Sequence, residues 1–244
     1  MDLALLITGA VAGGFINGLA GFGTALFTLG FWLQILPPVQ AVALVLVVST
    51  ATGLQGLLVV RRHMAAQKHR LARFLVPALF GIPIGIGLLT WIDPRTLKLV
   101  VAGFLILYGV FFIARRRLPD FDKQTHKRDA GIGFLGGILG GLAGLSGALP
   151  AMWLALRPWP RHETRAVLQP YNVAILAISM VILAAKGVYT GAVIRDVLIV
   201  LPVSIVSAQI GIRVFSIMSD TKFRWLLIFL MLASGLLLAT REIL

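Results

Sequence analysis

The sequence predicts an all-α polytopic membrane protein built from two related halves. Three observations carry that prediction: long uncharged apolar runs, a Gly-rich stretch that occurs twice, and basic residues gathered between the runs. Residues 3–60 contain no charged side chain, and further uncharged runs cover 74–92, 99–114, 130–156, 166–185, 197–212 and 225–240. A hydrocarbon layer of about 30 Å takes ~20 residues of helix, and several of these runs are long enough. With 59% of 244 residues hydrophobic, 13% charged and a mean hydropathy of +0.96, the chain cannot cover itself as a soluble domain.

Residues 13–26 read GGFINGLAGFGTAL and residues 136–149 read GGILGGLAGLSGAL, at a constant offset of 123. The two copies agree at both leading glycines, at Gly18 to Gly21 against Gly141 to Gly144, and at the closing Ala-Leu. Each has a small hydroxyl and a glycine where a helix would restart: Gly23 and Thr24 in the first, Ser146 and Gly147 in the second. A glycine-interrupted hydrophobic segment at the same place in two halves marks the centre of a secondary transporter.

In chain order, the first apolar element covers 3–36. Its 34 residues would make a helix of roughly 51 Å, too long for one upright crossing and too short for two. A broken helix or a re-entrant hairpin folded at Gly18 to Gly23 fits that length. Pro37 and Pro38 stop it. A span over 39–60 follows, then a basic segment from Arg61 to Arg73, and a span over 74–92 that Pro77, Gly81, Pro83, Gly85 and Gly87 should loosen. The turn Asp93-Pro94-Arg95 leads to a span at 97–114. The second half repeats this plan with the Gly-rich element at 130–156, a basic loop from Arg157 to Arg165, and spans at 166–186, 194–213 and 223–240. Pro77 corresponds to Pro202, and GIGLLTWIDPRTLK from Gly85 resembles GIRVFSIMSDTKFR from Gly211. The expected organisation is a first transmembrane repeat at 1–114, a basic cytoplasmic linker at 115–129 and a second repeat at 130–244. Each repeat is one Gly-rich broken or re-entrant element plus three transmembrane helices.

Charge tests the topology. If 130–156 crosses fully, 14 Lys and Arg fall inside and 8 outside; if it returns to its own side, the division is 17 against 5. The positive-inside bias favours the re-entrant form. With both elements re-entrant, three crossings separate them, the halves are inverted and both termini lie outside; eight full spans with parallel halves is the alternative. The net charge of +13 is explained by those loops, so no nucleic-acid partner is expected. The absence of Cys excludes disulfides and thiolate metal sites. No basic residue precedes the first apolar run, which argues against a cleaved signal peptide.

The glycines at four-residue spacing suit close helix packing. As a cluster they also predict non-helical backbone at membrane depth. A half-helix starting near Thr24 or Ser146 would direct free N–H groups and a positive dipole end at the midplane, which is an anion site that needs no buried cation. Candidate lining residues are Asn17, Gly21, Gly23 and Thr24 in the first motif, and Gly144, Ser146 and Gly147 in the second. Thr50 and Gln55 in the second span and Asn172 in its counterpart complete the set. Gln55, Gln169 and Asn172 are costly to bury and should face a cavity or another helix. All nine carboxylates and all four His residues lie in loops or at span ends. A membrane protease, metalloenzyme or carboxylate-relay pump needs such groups inside the spans, so no catalytic residue, metal or cofactor is expected.

Gly14-Phe15, Gly18 to Gly23, Ser49-Thr50, Gly133-Phe134, Gly141 to Gly147 with Pro150, and Gly85 and Gly211 together resemble the TauE/SafE family of membrane transporters across essentially the whole chain. The chain departs from the family pattern at Thr24, where a further Gly is common, and at Gln169-Pro170-Tyr171-Asn172, which replaces a small hydroxyl-rich segment. The resemblance implies export of a small anion, sulfite or an organosulfonate, across the bacterial inner membrane. One repeat would rock against the other to alternate access. An anion channel, or a transporter of another small organic anion, is the alternative. The expected partners are that anion and the lipid bilayer, with a homo-oligomer left open.

Overall fold

The computed structural model describes residues 2–114, 125–157, 159 and 161–218, with 225, 226, 228, 229, 232, 233, 235, 236, 239 and 240 of the last segment. The expected linker core at 115–124 lies outside the described residues, as does much of the expected span 223–240. Among the described residues every regular element is a helix.

α1 (Leu3–Ala20) starts on Asp2, whose carboxylate accepts from the amides of Ala4 and Leu5. It stops because Gly21 takes the left-handed conformation at φ 80° and turns its N–H back to Asn17 O at 2.7 Å. α2 (Thr24–Trp32) follows after three residues. Pro38 opens α3 (Pro38–Met64), since a proline at the first helical position gives up only an N–H that would lack a partner anyway. A 3-10 turn at Ala65–Gln67 leads directly into α4 (Lys68–Leu89). α4 is continuous through Pro77 and Pro83, so the expected loosening is not a break. α5 (Pro94–Ala114) is capped by Asp93, whose carboxylate accepts from the Thr96 amide at 2.9 Å. The second half runs through α6 (His126–Ala143), α7 (Ala148–Leu154), α8 (Arg161–Ala185) and α9 (Gly191–Ile217). α8 begins four residues before the end of the expected basic loop, which places Arg165 on a helix.

α2 doubles back along α1. The Trp32 indole donates to Leu6 O at 3.0 Å, and a Cβ on Gly9 or Gly13 would collide with Trp32 or Thr28. α7 doubles back along α6 in the same way: the Trp153 indole donates to the Asp129 carboxylate at 2.7 Å, and Gly136 lies against Ser146 and Pro150. Leu6 and Asp129 occupy positions 123 apart, the offset of the Gly-rich motifs.

Lipid tails are as apolar as Leu, so these helices associate through close packing rather than burial from water. α1 packs on α9 and α6 packs on α4, each pair joining the two halves of the chain. A Cβ on Gly14 or Gly18 would lie 2.4 or 2.0 Å from the backbone of Ser204 or Ala208. On Gly137 or Gly141 it would lie 2.1 or 2.5 Å from the backbone of Ala78 or Ile82. From the other side, Gly211 meets Phe15 O and Leu19 N, and Gly85 meets Ile138 O and Leu142 N. Ser204 and Ala78, Ala208 and Ile82, and Gly211 and Gly85 are each 126 apart. Pro77 and Pro202 are 125 apart, one residue out of that register, because the small contact residues and not the prolines set how the helices seat.

α3 and α8 pack together at the centre, and Ala41 to Leu46 on α3 are all 0% exposed. The outer faces of α4, α5 and α9 are apolar and exposed, with Phe80, Ile84, Val110, Leu198 and Val206 among them, as a lipid-facing surface requires. Among the described residues six helices are long and apolar enough to cross a membrane: α1, α3, α4, α5, α8 and α9. The chain is a multi-pass membrane protein.

Candidate functional site

The turns of the two hairpins meet between α3 and α8 and enclose a small cavity with room for roughly one water molecule. In the first turn Gly21 (φ 80°) and Gly23 (φ 95°) are both left-handed, a conformation that costs an L side chain about 1–2 kcal/mol. They aim α2 so that Gly23 and Thr24 line the cavity. No side chain caps the α2 N-terminus, and its free N–H groups carry the positive end of the helix dipole. Among the described residues the Thr24 hydroxyl, buried there, has no hydrogen-bond partner, and neither has the Ser49 hydroxyl of α3, which lines the same space.

The second turn is built differently. Gly144 (φ 69°) returns its N–H to Gly140 O and the next amide, Leu145, reaches Leu139 O, whereas Gly147 stays in the right-handed region. α7 starts at Ala148, later than the restart near Ser146 that the sequence suggests. The Ser146 hydroxyl donates to Asn172 Oδ1 at 2.9 Å. Asn172 Nδ2 donates to Gly21 O at 3.2 Å, so one side chain ties the two turns together.

Asn17, Gly21, Gly23, Thr24, Gly144, Ser146, Gly147 and Asn172 all line this one cavity. Thr50 and Gln55 do not. The face of α3 turned to the cavity carries Ser49 and, one helical turn on, Gly53; Thr50 is rotated away by ~100°. Asn17 is held by α3, donating to Thr52 Oγ1 at 2.5 Å and Ser49 O at 3.3 Å. Gln169, outside the candidate set, lines the cavity and donates from Nε2 to Gly53 O at 3.1 Å, while its Oε1 has no partner. Gly53 and Gly56 make room for it, since a Cβ on Gly56 would lie 2.6 Å from the Gln169 amide. Ser49 and Gly53 were legible only as an i, i+4 pair on a helix face, a signal weaker than that of the hydroxyl pair Ser49-Thr50.

A residue expected in the basic loop is buried beside the first turn, outside the cavity lining. Arg165 is 6% exposed; its Nη2 donates to Gly18 O at 3.1 Å, its guanidinium lies 4.5 Å above the Phe215 ring, and its Nε and Nη1 have no partner among the described residues. Positions in the expected loop are also buried at the end of α7, where Arg157 pairs with Asp129 at 3.0 Å and lies over the Trp153 ring. Asp129 and Asp196 stand near helix ends as expected, yet are 5% and 4% exposed. The basic segments of the two halves meet at one end of the molecule: Arg70 pairs with Glu163 at 2.7 Å, and the rings of His63 and His162 are 4.8 Å apart.

A family model described as sulfite exporter TauE/SafE matches residues 5–238. No curated protein and no solved structure matches the chain.

Proposed function

Because the chain belongs to the TauE/SafE sulfite exporter family, we propose that it is a secondary transporter that carries a small anion, sulfite or an organosulfonate, outward across the cell membrane. The anion binds where the two Gly-rich turns meet. The observation that carries this reading is the pair of buried, unpartnered hydroxyls of Thr24 and Ser49 beside the uncapped N-terminus of α2. Hydroxyl and backbone N–H donors at a dipole's positive end suit an oxyanion.

The halves are inverted repeats in this account, each with a re-entrant hairpin whose turn reaches the midplane. The antiparallel course of α2 on α1 and of α7 on α6 supports it, as do contacts that recur at offsets of 123 and 126. The cavity is too narrow for a four-atom oxyanion as it stands. Loading therefore requires the hairpins to move relative to α3 and α8, and Asn172, which bridges both turns, is where that movement is felt.

Uptake of labelled sulfite into proteoliposomes holding the purified protein, under an imposed pH gradient and membrane potential, tests this. Saturable, gradient-dependent flux with competition by taurine, sulfoacetate or thiosulfate is expected. Folded protein that moves none of these anions would overturn the substrate class.

A further inference from the structure

Among the described residues two arginines are buried, and only one of them has an acid. Arg157 is paired with Asp129, and the other described ion pairs join Arg70 to Glu163 and Arg195 to Asp196. Arg165 has no carboxylate in its salt-bridge range among the described residues, and two of its three guanidinium nitrogens have no hydrogen-bond partner. Burying a charge without a counter-charge is unfavourable, and in membrane proteins such a residue marks a ligand or ion pathway.

Its place is specific. A Cβ built on Gly21 would lie 3.3 Å from Arg165 Nε and 2.5 Å from Gln169 Oε1, so both groups stand against the backbone of the first turn where only a glycine fits. Gln169 is oriented by its donation to Gly53 O, which leaves Oε1 as a buried acceptor without a donor. Gly21 and Gln169 both line the central cavity. Behind the first turn the protein thus presents a cationic donor and a neutral acceptor within reach of one small molecule.

Resting on the anion-carrier reading above, we propose that Arg165 and Gln169 form an inner subsite for the transported anion. Arg165 neutralises the charge, and Gln169 Oε1 accepts from a donor on the same ligand. The substrate class that fits is a small oxyanion with its own O–H or N–H, such as hydrogensulfite or an aminoalkanesulfonate. An alkanesulfonate without a donor fits less well, because it leaves Gln169 Oε1 buried and unpaired. Arg165 also lies one turn into α8 from the end where the basic segments meet.

The test is ligand-induced thermal stabilisation of the purified full chain, with sulfite at pH 6, taurine and methanesulfonate as probes. Wild type should be stabilised by sulfite and taurine at concentrations at least tenfold below those needed for methanesulfonate. Arg165→Met, which keeps the stem on Phe215 and gives up the bond to Gly18 O, should stay folded and lose the response to all three. Arg165→Lys should keep part of it, and Gln169→Leu should erase the preference for donor-bearing ligands. An Arg165→Met response equal to that of wild type would overturn the subsite and leave the anion-carrier reading standing. A wild type that no anion stabilises would count against that reading itself, and the subsite would fall with it.

Discussion

The two Gly-rich turns share the Gly-Leu-Ala-Gly that leads into them and their first glycine's left-handed backbone, yet they face different chemistry. A side chain at Gly21 would meet the polar ends of Gln169 and Arg165, whereas one at Gly144 would meet Val45, Ala25 and Leu46. The Thr24 hydroxyl after the first turn has no partner among the described residues, and the Ser146 hydroxyl in the second is committed to Asn172. The first turn is followed by a nine-residue helix with a free N-terminus, the second by seven residues. In the proposed reading the two turns share a shape, and the capacity to hold an anion is concentrated in the first.

That contrast can be broken most severely at the glycines. Gly21→Ala should abolish sulfite flux while leaving folded protein, because the added carbon displaces the Gln169 amide and crowds Arg165. Gly144→Ala should act mainly on stability, by about 1–2 kcal/mol for the left-handed backbone, and retain measurable flux. Equal flux in the two variants, measured in proteoliposomes at matched protein, would remove the asymmetry. Arg157→Met should cost about 3–5 kcal/mol and reduce the folded yield, because Asp129 is left buried without its partner; chemical denaturation compares it with wild type. Thr24→Val removes a donor to a charged ligand worth about 1.5–3 kcal/mol, so sulfite affinity should fall roughly 10- to 100-fold at unchanged stability. Ser146→Ala should instead lose about 1 kcal/mol of stability with a small effect on affinity, because its bond is internal. Thr50→Val and Gln55→Leu, outside the cavity lining, should leave flux within about twofold of wild type.

The helices, the repeated turns and most of the cavity were legible in the sequence because apolar run length and glycine placement are local signals. Gly21 and Gly144 are left-handed where the motif demands glycine, and Gly14, Gly18, Gly137 and Gly141 lie on helix contacts where small residues at four-residue spacing belong. Arg165 was hidden by its neighbours: in a stretch that also holds Arg157 and Arg161 it reads as one more basic loop residue. The early start of α8 carries it against Gly18 and Phe215. Gln169 was visible as a polar residue in a span, but its partner Gly53 lies 116 residues away. The span over 74–92 was read from its apolar run, and packing on α6 keeps α4 continuous through its two prolines.

The most direct test of the account is counterflow of labelled sulfite in proteoliposomes preloaded with unlabelled sulfite, run in parallel for wild type, Thr24→Val and Ser146→Ala. A carrier whose anion rests at the first turn should show a transient overshoot in wild type and in Ser146→Ala, and at the same sulfite concentration lose it in Thr24→Val. Flux without overshoot in wild type, or an overshoot that survives Thr24→Val and vanishes in Ser146→Ala, would contradict it.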